Sequence, residues 1–122
     1  MLIAEDESSI VLSLEFLLTE AGYEVVTAAD GARALELAAE HRPHLIVLDI
    51  MLPLVNGFEV CRTIRADAAL HDIRILILTA RGREREVARG LALGANAYLT
   101  KPFATRELVK IVGELLESGA AI

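Results

Sequence analysis

The chain has 122 residues, and 18 acidic side chains against 12 lysines and arginines give it a formal charge of −6. Hydrophobic residues make up 54% of it and aromatic residues only 4%. This composition predicts one folded domain with an aliphatic core and excludes a disordered chain. The acidic balance argues against direct binding of nucleic acid, which usually requires a basic patch.

Two further features bear on location. The lone cysteine, Cys61, excludes an internal disulfide and is typical of a reducing compartment. The apolar runs are far shorter than the roughly 20 residues of a membrane-spanning helix, and the amino terminus lacks the pattern of a signal peptide. We therefore expect a cytoplasmic protein without membrane contact.

Short apolar runs alternate with longer amphipathic ones, which is typical of βα units and a parallel sheet. Gly22, Pro43, Gly57 and Gly94 separate several of these runs. In chain order, the predicted elements are strand Met1–Ala4, a helix capped by Ser8 or Ser9 that ends at Gly22, strand Tyr23–Ala28, helix Ala32–Glu40 with Leu35 and Ala38 inward, strand Leu45–Leu48, a helix bearing Phe58, Val60, Cys61 and Ile64, strand Ile73–Leu78, helix Glu84–Leu93, strand Ala97–Leu99 and helix Thr105–Leu116.

Ligands of open parallel α/β sheets bind beyond the carboxyl ends of the strands. The chemistry-bearing residues predicted at those ends are Glu5, Asp6, Glu7, Asp49, Thr79 and Lys101. Crowded carboxylates require a cation, and Mg²⁺ prefers oxygen ligands. Acids, Mg²⁺, a lysine and a hydroxyl together favour transfer of a phosphoryl group onto one carboxylate.

The chain resembles the receiver domains of two-component response regulators over essentially all 122 residues. The resemblance implies a flavodoxin-like, doubly wound domain over residues 1–122, with five parallel strands in the order 2-1-3-4-5, five helices and no effector domain in this chain. The segments that carry it are Ile3-Ala4-Glu5-Asp6-Glu7, Leu45 to Pro53 continuing to Gly57, Leu78-Thr79-Ala80, and Gly94 to Phe103.

The resemblance also implies a role for individual residues. Asp49 would be the phosphoacceptor, and Mg²⁺ would be bound by Glu5, Asp6, Asp49 and the main-chain carbonyl of Met51. The residues implied for phosphate binding and switching are Thr79, Ala80, Lys101 and Tyr98, with a cis peptide bond before Pro102 and with Met51 and Arg81 setting the lifetime of the phosphoryl group.

The implied function is that of a switch. A sensor histidine kinase or a phosphotransfer protein would donate the phosphoryl group from a phosphohistidine, and the domain would at most catalyse its own phosphorylation and dephosphorylation. The face formed by the fourth helix, fifth strand and fifth helix would then change its arrangement.

The output expected from the resemblance is transcription. The chain looks most like receivers that dimerise through this face and control winged-helix DNA-binding domains, and Arg89 and Glu107 match one interface salt bridge of that group. Asn96 and Ala97 stand where the group usually has an acidic pair, and Ile111 stands where it has a basic residue. A phosphorylation-dependent homodimer is one expectation, and these departures argue against the symmetric dimer of that group.

Several alternatives remain open on the sequence. A Mg²⁺-dependent phosphatase-like hydrolase would also use an aspartate nucleophile, although Met51 stands where a second aspartate is expected. A flavin-binding module would share the fold, but the acids after the first strand oppose it. The mixed charges of Arg81, Arg83, Glu84, Arg85, Glu86 and Arg89 indicate either a solvated surface or a segment that moves on phosphorylation.

Overall fold

The structure is a computed structural model that describes residues 1–80 and 82–120, with side chains to residue 117. Five strands and five helices alternate within these residues. Their bounds are β1 Leu2–Ala4, α1 Ser8–Glu20, β2 Val26–Ala28, α2 Gly31–His41, β3 Leu45–Asp49, α3 Gly57–Ala66, β4 Arg74–Ala80, α4 Glu84–Ala92, β5 Ala97–Lys101 and α5 Thr105–Ala120.

The strands form one parallel sheet in the order β2-β1-β3-β4-β5, which confirms the predicted flavodoxin-like architecture. All residues of β1 and β3 are buried, as expected for strands covered on both faces. The alternation of side chains divides the core into two clusters. One includes Leu2, Ile46 and Ile75 with residues of α2 and α3, and the other includes Ile3, Val47 and Leu76 with residues of α1 and α5.

Three local predictions were wrong in detail. The second strand begins at Val26 instead of Tyr23, because β1 begins at Leu2, which pairs with Val26. The first helix has Glu7 at its N-cap without a side-chain hydrogen bond, so neither Ser8 nor Ser9 caps it. On α2, Leu37 and Ala38 are buried, whereas Leu35 packs only at the margin of the core.

The third, fourth and fifth strands extend further toward their carboxyl ends than predicted. Asp49 is the last residue of β3, Thr79 and Ala80 end β4, and Lys101 ends β5. These residues therefore have extended, hydrogen-bonded backbones instead of lying in loops, and the sheet itself places their side chains.

A cluster of hydrogen-bonded polar groups lies at the opposite, amino-terminal edge of the sheet. The Arg65 guanidinium on α3 donates hydrogen bonds to the carbonyl oxygens of Gly94 (2.8 Å), His71 (2.9 Å) and Ile73 (2.7 Å) and to Asn96 Oδ1 (2.8 Å). Asn96 Oδ1 also accepts from the Ile75 N–H at 2.8 Å. Arg65 and Asn96 thus join α3 to the loops that lead into β4 and β5.

Among the residues that the structure describes, no helix is both long and apolar enough to cross a membrane.

Candidate functional site

The strand register brings the predicted acidic residues together at the carboxyl edge of the sheet. Ala4 of β1 pairs with Leu48 of β3, so Glu5 and Asp49 follow at adjacent positions. Carboxylate oxygens of Glu5, Asp6 and Asp49 all lie within 4.8 Å of one another. Glu5 and Asp49 are only 1% and 7% exposed, whereas Asp6 is exposed. The site is thus a buried pair of acids with a third acid at its solvent side.

Lys101 supplies the positive charge of this site. Its Nζ donates a hydrogen bond to Glu5 Oε1 at 2.6 Å and a longer one to Asp49 Oδ2 at 3.4 Å. The side chain reaches the acids because β5 pairs with β4 and β4 pairs with β3, which places the three strand ends side by side. The Lys101 ammonium is therefore paired with two buried carboxylates.

The pKa values reflect this crowding. Burial raises the pKa of Glu5 to about 7; the hydrogen bond from Lys101 opposes the rise, and the neighbouring Asp49 carboxylate adds to it. Burial would lower the pKa of Lys101, but its hydrogen bond to Glu5 and the charge of Asp49 outweigh that effect and raise it. Burial of Glu5 thus raises its pKa even though Lys101 is hydrogen-bonded to it.

A constrained loop follows Asp49. The Met51 N–H donates to Asp49 Oδ1 at 3.1 Å, and the Gly57 N–H donates to the Ile50 carbonyl at 2.9 Å. A Cβ atom at Gly57 would lie 2.7 Å from the Asp49 carbonyl oxygen, which is closer than real contacts allow. Glycine at position 57 therefore lets α3 start directly against the end of β3 and holds the Asp49 loop in place.

The predicted switch residues lie on the neighbouring strands. Thr79 is buried, and its hydroxyl donates to the adjacent Ala80 carbonyl at 3.4 Å. Tyr98 is 47% exposed, so its ring is not in the core. A cavity of about 660 Å³ lies between them and is lined by Thr79, Val87, Leu91 and Tyr98 among others. Thr79 and Tyr98 therefore border the same cavity.

Two further predicted residues follow β5 and β4. The peptide bond between Lys101 and Pro102 is cis. Arg81, predicted to act on the lifetime of the phosphoryl group, lies outside the described residues.

The donor set fits a hard divalent cation. Three carboxylates converge within one ligand sphere while a single ammonium faces them. Mg²⁺ is usually bound by one or two carboxylates together with waters, and the exposure of Asp6 leaves room for such waters. The residues present thus match the ligand chemistry expected for Mg²⁺.

The mixed-charge run around α4 is not simply a solvated surface. Arg83 Nη1 donates to both oxygens of Glu86 at 2.8 and 3.0 Å and contacts Met51 Sδ at 3.8 Å. The Arg89 guanidinium lies over the Phe58 ring, 4.2 Å from its centroid. Sequence reasoning missed the contacts with Met51 and Phe58, because nothing in the local pattern indicates which residues of α3 and of the loop after β3 face α4.

Comparison with known proteins agrees with this geometry. The family model described as the response regulator receiver domain matches residues 1–113. The chain belongs to this receiver family. The family match does not support the phosphatase-like alternative.

The chain is similar to curated regulators over part of their length. It is 46% identical over 108 residues to the alkaline phosphatase synthesis transcriptional regulatory protein PhoP of Bacillus subtilis (strain 168), a match that covers 88% of this chain and 44% of PhoP. It is 44% identical over 116 residues to ycf27 of Cyanophora paradoxa, covering 95% of this chain and 47% of ycf27. This receiver domain thus spans a little under half the length of these relatives.

Solved receiver structures superpose closely. The chemotaxis response regulator CheY4 of Vibrio cholerae is 35% identical with a TM-score of 0.88, covering 93% of this chain and 95% of that one. The receiver domain of sensor histidine kinase PA1611 from Pseudomonas aeruginosa PAO1 is 33% identical with a TM-score of 0.88, covering 95% of each chain. That structure contains a magnesium ion coordinated in its active site cleft.

Proposed function

We propose that this receiver domain is switched by phosphorylation of Asp49. The single observation that carries the proposal is the convergence of Asp49 with Glu5, Asp6 and Lys101 at the carboxyl edge of the sheet. Asp49 is buried on the protein side, and the site opens to solvent where Asp6 is exposed. We expect a phosphoryl donor to approach Asp49 from the side on which Asp6 is exposed.

The donor is a phosphohistidine of a sensor histidine kinase or phosphotransfer protein. A carboxylate oxygen of Asp49 forms the new P–O bond, the P–N bond to histidine breaks, and its electron pair stays on the histidine nitrogen. Lys101 neutralises charge on the transferred group, since its ammonium already lies 3.4 Å from Asp49 Oδ2. The Met51 N–H orients the nucleophile through its hydrogen bond to Oδ1.

The reaction is proposed to require Mg²⁺. Glu5, Asp6, Asp49 and the main-chain carbonyl of Met51 are the residues that would bind it, with Glu5 acting through a water molecule. When bound, Mg²⁺ supplies positive charge that offsets the phosphoryl oxygens. The raised pKa of Glu5 is in keeping with a site that accommodates additional positive charge.

Phosphorylation adds nearly two negative charges at the end of β3. Thr79 and Lys101 are the neighbouring groups that can reach toward the new oxygens, and Ala80 stands beside Thr79 at the end of β4. Movement of the Thr79 hydroxyl would open the cavity behind it, and the Tyr98 ring would turn into that space. The surface of α4, β5 and α5 would then differ between the two states.

The proposed output is transcriptional control in a longer protein, as the name of the relative PhoP indicates for that protein. Phosphorylation-dependent pairing through α4, β5 and α5 is supported by the exposure of Leu91 (40%) and Tyr98 (47%). Size-exclusion chromatography of the phosphorylated domain should show a dimer that Leu91→Glu weakens. A strictly monomeric profile at high concentration would contradict pairing.

The phosphoacceptor is tested by intact-mass measurement after incubation with acetyl phosphate and Mg²⁺. Wild type should gain one phosphoryl group and Asp49→Ala none, while Asp72→Ala, which removes an exposed carboxylate, should behave like wild type. Phosphorylation of Asp49→Ala at the wild-type rate would exclude Asp49 as the acceptor.

A further inference from the structure

Arg83 occupies an unusual position beside the phosphoacceptor. It is the N-cap residue of α4, yet its side chain makes no capping hydrogen bond. Instead, Nη1 donates to both carboxylate oxygens of Glu86, one turn into the helix, at 2.8 and 3.0 Å. Both side chains are partly buried, with exposed fractions of 39% and 33%. This ion pair is therefore less solvated than the other arginine pairs on the helices.

The same nitrogen contacts the Met51 thioether. Nη1 lies 3.8 Å from Sδ, a weak hydrogen bond to sulfur. Met51 comes two residues after Asp49, and its own N–H donates to Asp49 Oδ1 at 3.1 Å. Arg83 thus joins the start of α4 to the loop after β3. We call Arg83, Glu86 and Met51 the Arg83 cluster.

Met51 needs an external contact to hold one conformation. Its side chain is unbranched, with three rotatable bonds, and the residue is 58% exposed. The Met51 thioether contacts Arg83, and Arg83 is itself paired with Glu86. Because the Met51 N–H donates to Asp49 Oδ1, the conformation of Met51 can affect how water approaches this carboxylate.

We propose that Arg83 is a positioning residue that sets the lifetime of the phosphoryl group by holding the side chain of Met51, whose N–H is hydrogen-bonded to Asp49. The inference rests on the proposed function of Asp49. In the hydrolysis concerned, a water oxygen attacks phosphorus, the P–O bond to Asp49 breaks, and the products are the Asp49 carboxylate, inorganic phosphate and a proton. The Arg83 cluster slows this step because water must displace Met51 first.

A different effect of Arg83 would come from its charge alone. A guanidinium near the site could attract any anionic donor and stabilise the phosphorylated form without involving Met51. The two effects separate in a double-mutant cycle, because only positioning through Met51 disappears when Met51 is already absent.

The test measures loss of the aspartyl phosphate after removal of acetyl phosphate, with Mg²⁺ constant. Arg83→Ala should raise the first-order rate constant about threefold, the effect of one weak contact. Met51→Ala should raise it at least as much, and the double variant should hydrolyse no faster than Met51→Ala. Arg83→Lys, which can still pair with Glu86, should restore most of the wild-type lifetime.

The matched control is Arg85→Ala, since Arg85 carries the same charge on the same helix and is exposed. It should leave the lifetime unchanged. Wild-type hydrolysis in Arg83→Ala, or a full additional effect of Arg83→Ala in the Met51→Ala background, would overturn the proposal. If wild type itself gains no phosphoryl group, the proposed function fails instead, so the two failures are distinguishable.

Discussion

The two edges of the sheet each contain a cluster of charged and polar groups, partly buried at the amino edge and more deeply buried at the carboxyl edge, and the two clusters differ in how their charges are paired. At the amino edge, one guanidinium donates to four oxygen acceptors, and Asn96 also accepts from the backbone of β4. At the carboxyl edge, Glu5 and Asp49 share the Lys101 ammonium, and the Asp6 carboxylate lies close to both acids. Burial lowers the pKa of Arg65 but leaves it charged, because guanidinium groups stay protonated in proteins.

The difference separates a structural cluster from a functional one. Arg65 satisfies groups that folding would otherwise leave without partners, so its contribution is to stability. At the carboxyl edge, burial is the main cause of the raised pKa of Glu5, and the neighbouring Asp49 carboxylate adds to it. Burying these acids is unfavourable for folding, and the proposed binding of a cation would offset part of that cost.

The largest expected effect is at the amino edge. Replacing Arg65 by Met should lower the free energy of unfolding by about 3 kcal/mol, because four acceptors each lose a hydrogen bond from the guanidinium. Urea unfolding measures this change. The control is Arg62→Met on the same helix, where an exposed pair with Glu59 should contribute no more than about 0.5 kcal/mol. Equal losses in the two variants would mean that the Arg65 network does not stabilise the fold.

A slightly smaller effect is expected from Mg²⁺ at the carboxyl edge. At a hundredfold excess over its dissociation constant, Mg²⁺ should raise the free energy of unfolding by about 2.7 kcal/mol, since it binds the folded state only. Asp6→Asn should remove most of this gain, whereas Asp72→Asn should keep it. Thermal unfolding with Mg²⁺ or chelator gives the comparison, and a gain that survives Asp6→Asn would place the ion elsewhere.

The smallest effect should have the opposite sign from that of Arg65→Met. In chelator at neutral pH, Asp49→Asn should stabilise the domain by about 1 kcal/mol, because it removes a charge that repels Glu5. The Asn side chain can still accept the hydrogen bond from the Met51 N–H. Urea unfolding beside Asp72→Asn, which makes the same charge change at an exposed position, isolates the effect. A clear decrease in the free energy of unfolding of Asp49→Asn would show that repulsion between Asp49 and Glu5 does not destabilise the fold.

Much of the fold could be predicted from local pattern. Runs such as Leu45–Leu48 lack polar alternation, and only a strand buried on both faces accommodates them. The site residues could then be predicted from the strand assignments, because the carboxyl ends of parallel strands meet at one edge of the sheet. The start of β2 could not be predicted, since it depends on where β1 begins to offer partners.

The contacts of individual arginines could not be predicted from the local sequence pattern. Arg62, Arg65, Arg83 and Arg89 all lie in charged helical or loop segments and look alike in sequence. Arg62 is exposed, and Arg65 donates hydrogen bonds at the amino edge of the sheet. Arg83 contacts Met51, and Arg89 lies over the Phe58 ring. The contacts of Arg65 with Gly94, Arg83 with Met51 and Arg89 with Phe58 each join residues at least 29 positions apart, so no short window of sequence contains both partners.

The sequence alone was enough to predict the order of the elements, the aliphatic core and the acids, threonine and lysine at the strand ends, because these depend on periodicity and on the direction of parallel strands. The packing of helices against the sheet decided the rest. It set how deeply Glu5 and Asp49 are buried, paired Lys101 with both, and placed Arg83 against Met51. Burial and long-range pairing are properties of the assembled fold, and they give these acids their electrostatic character.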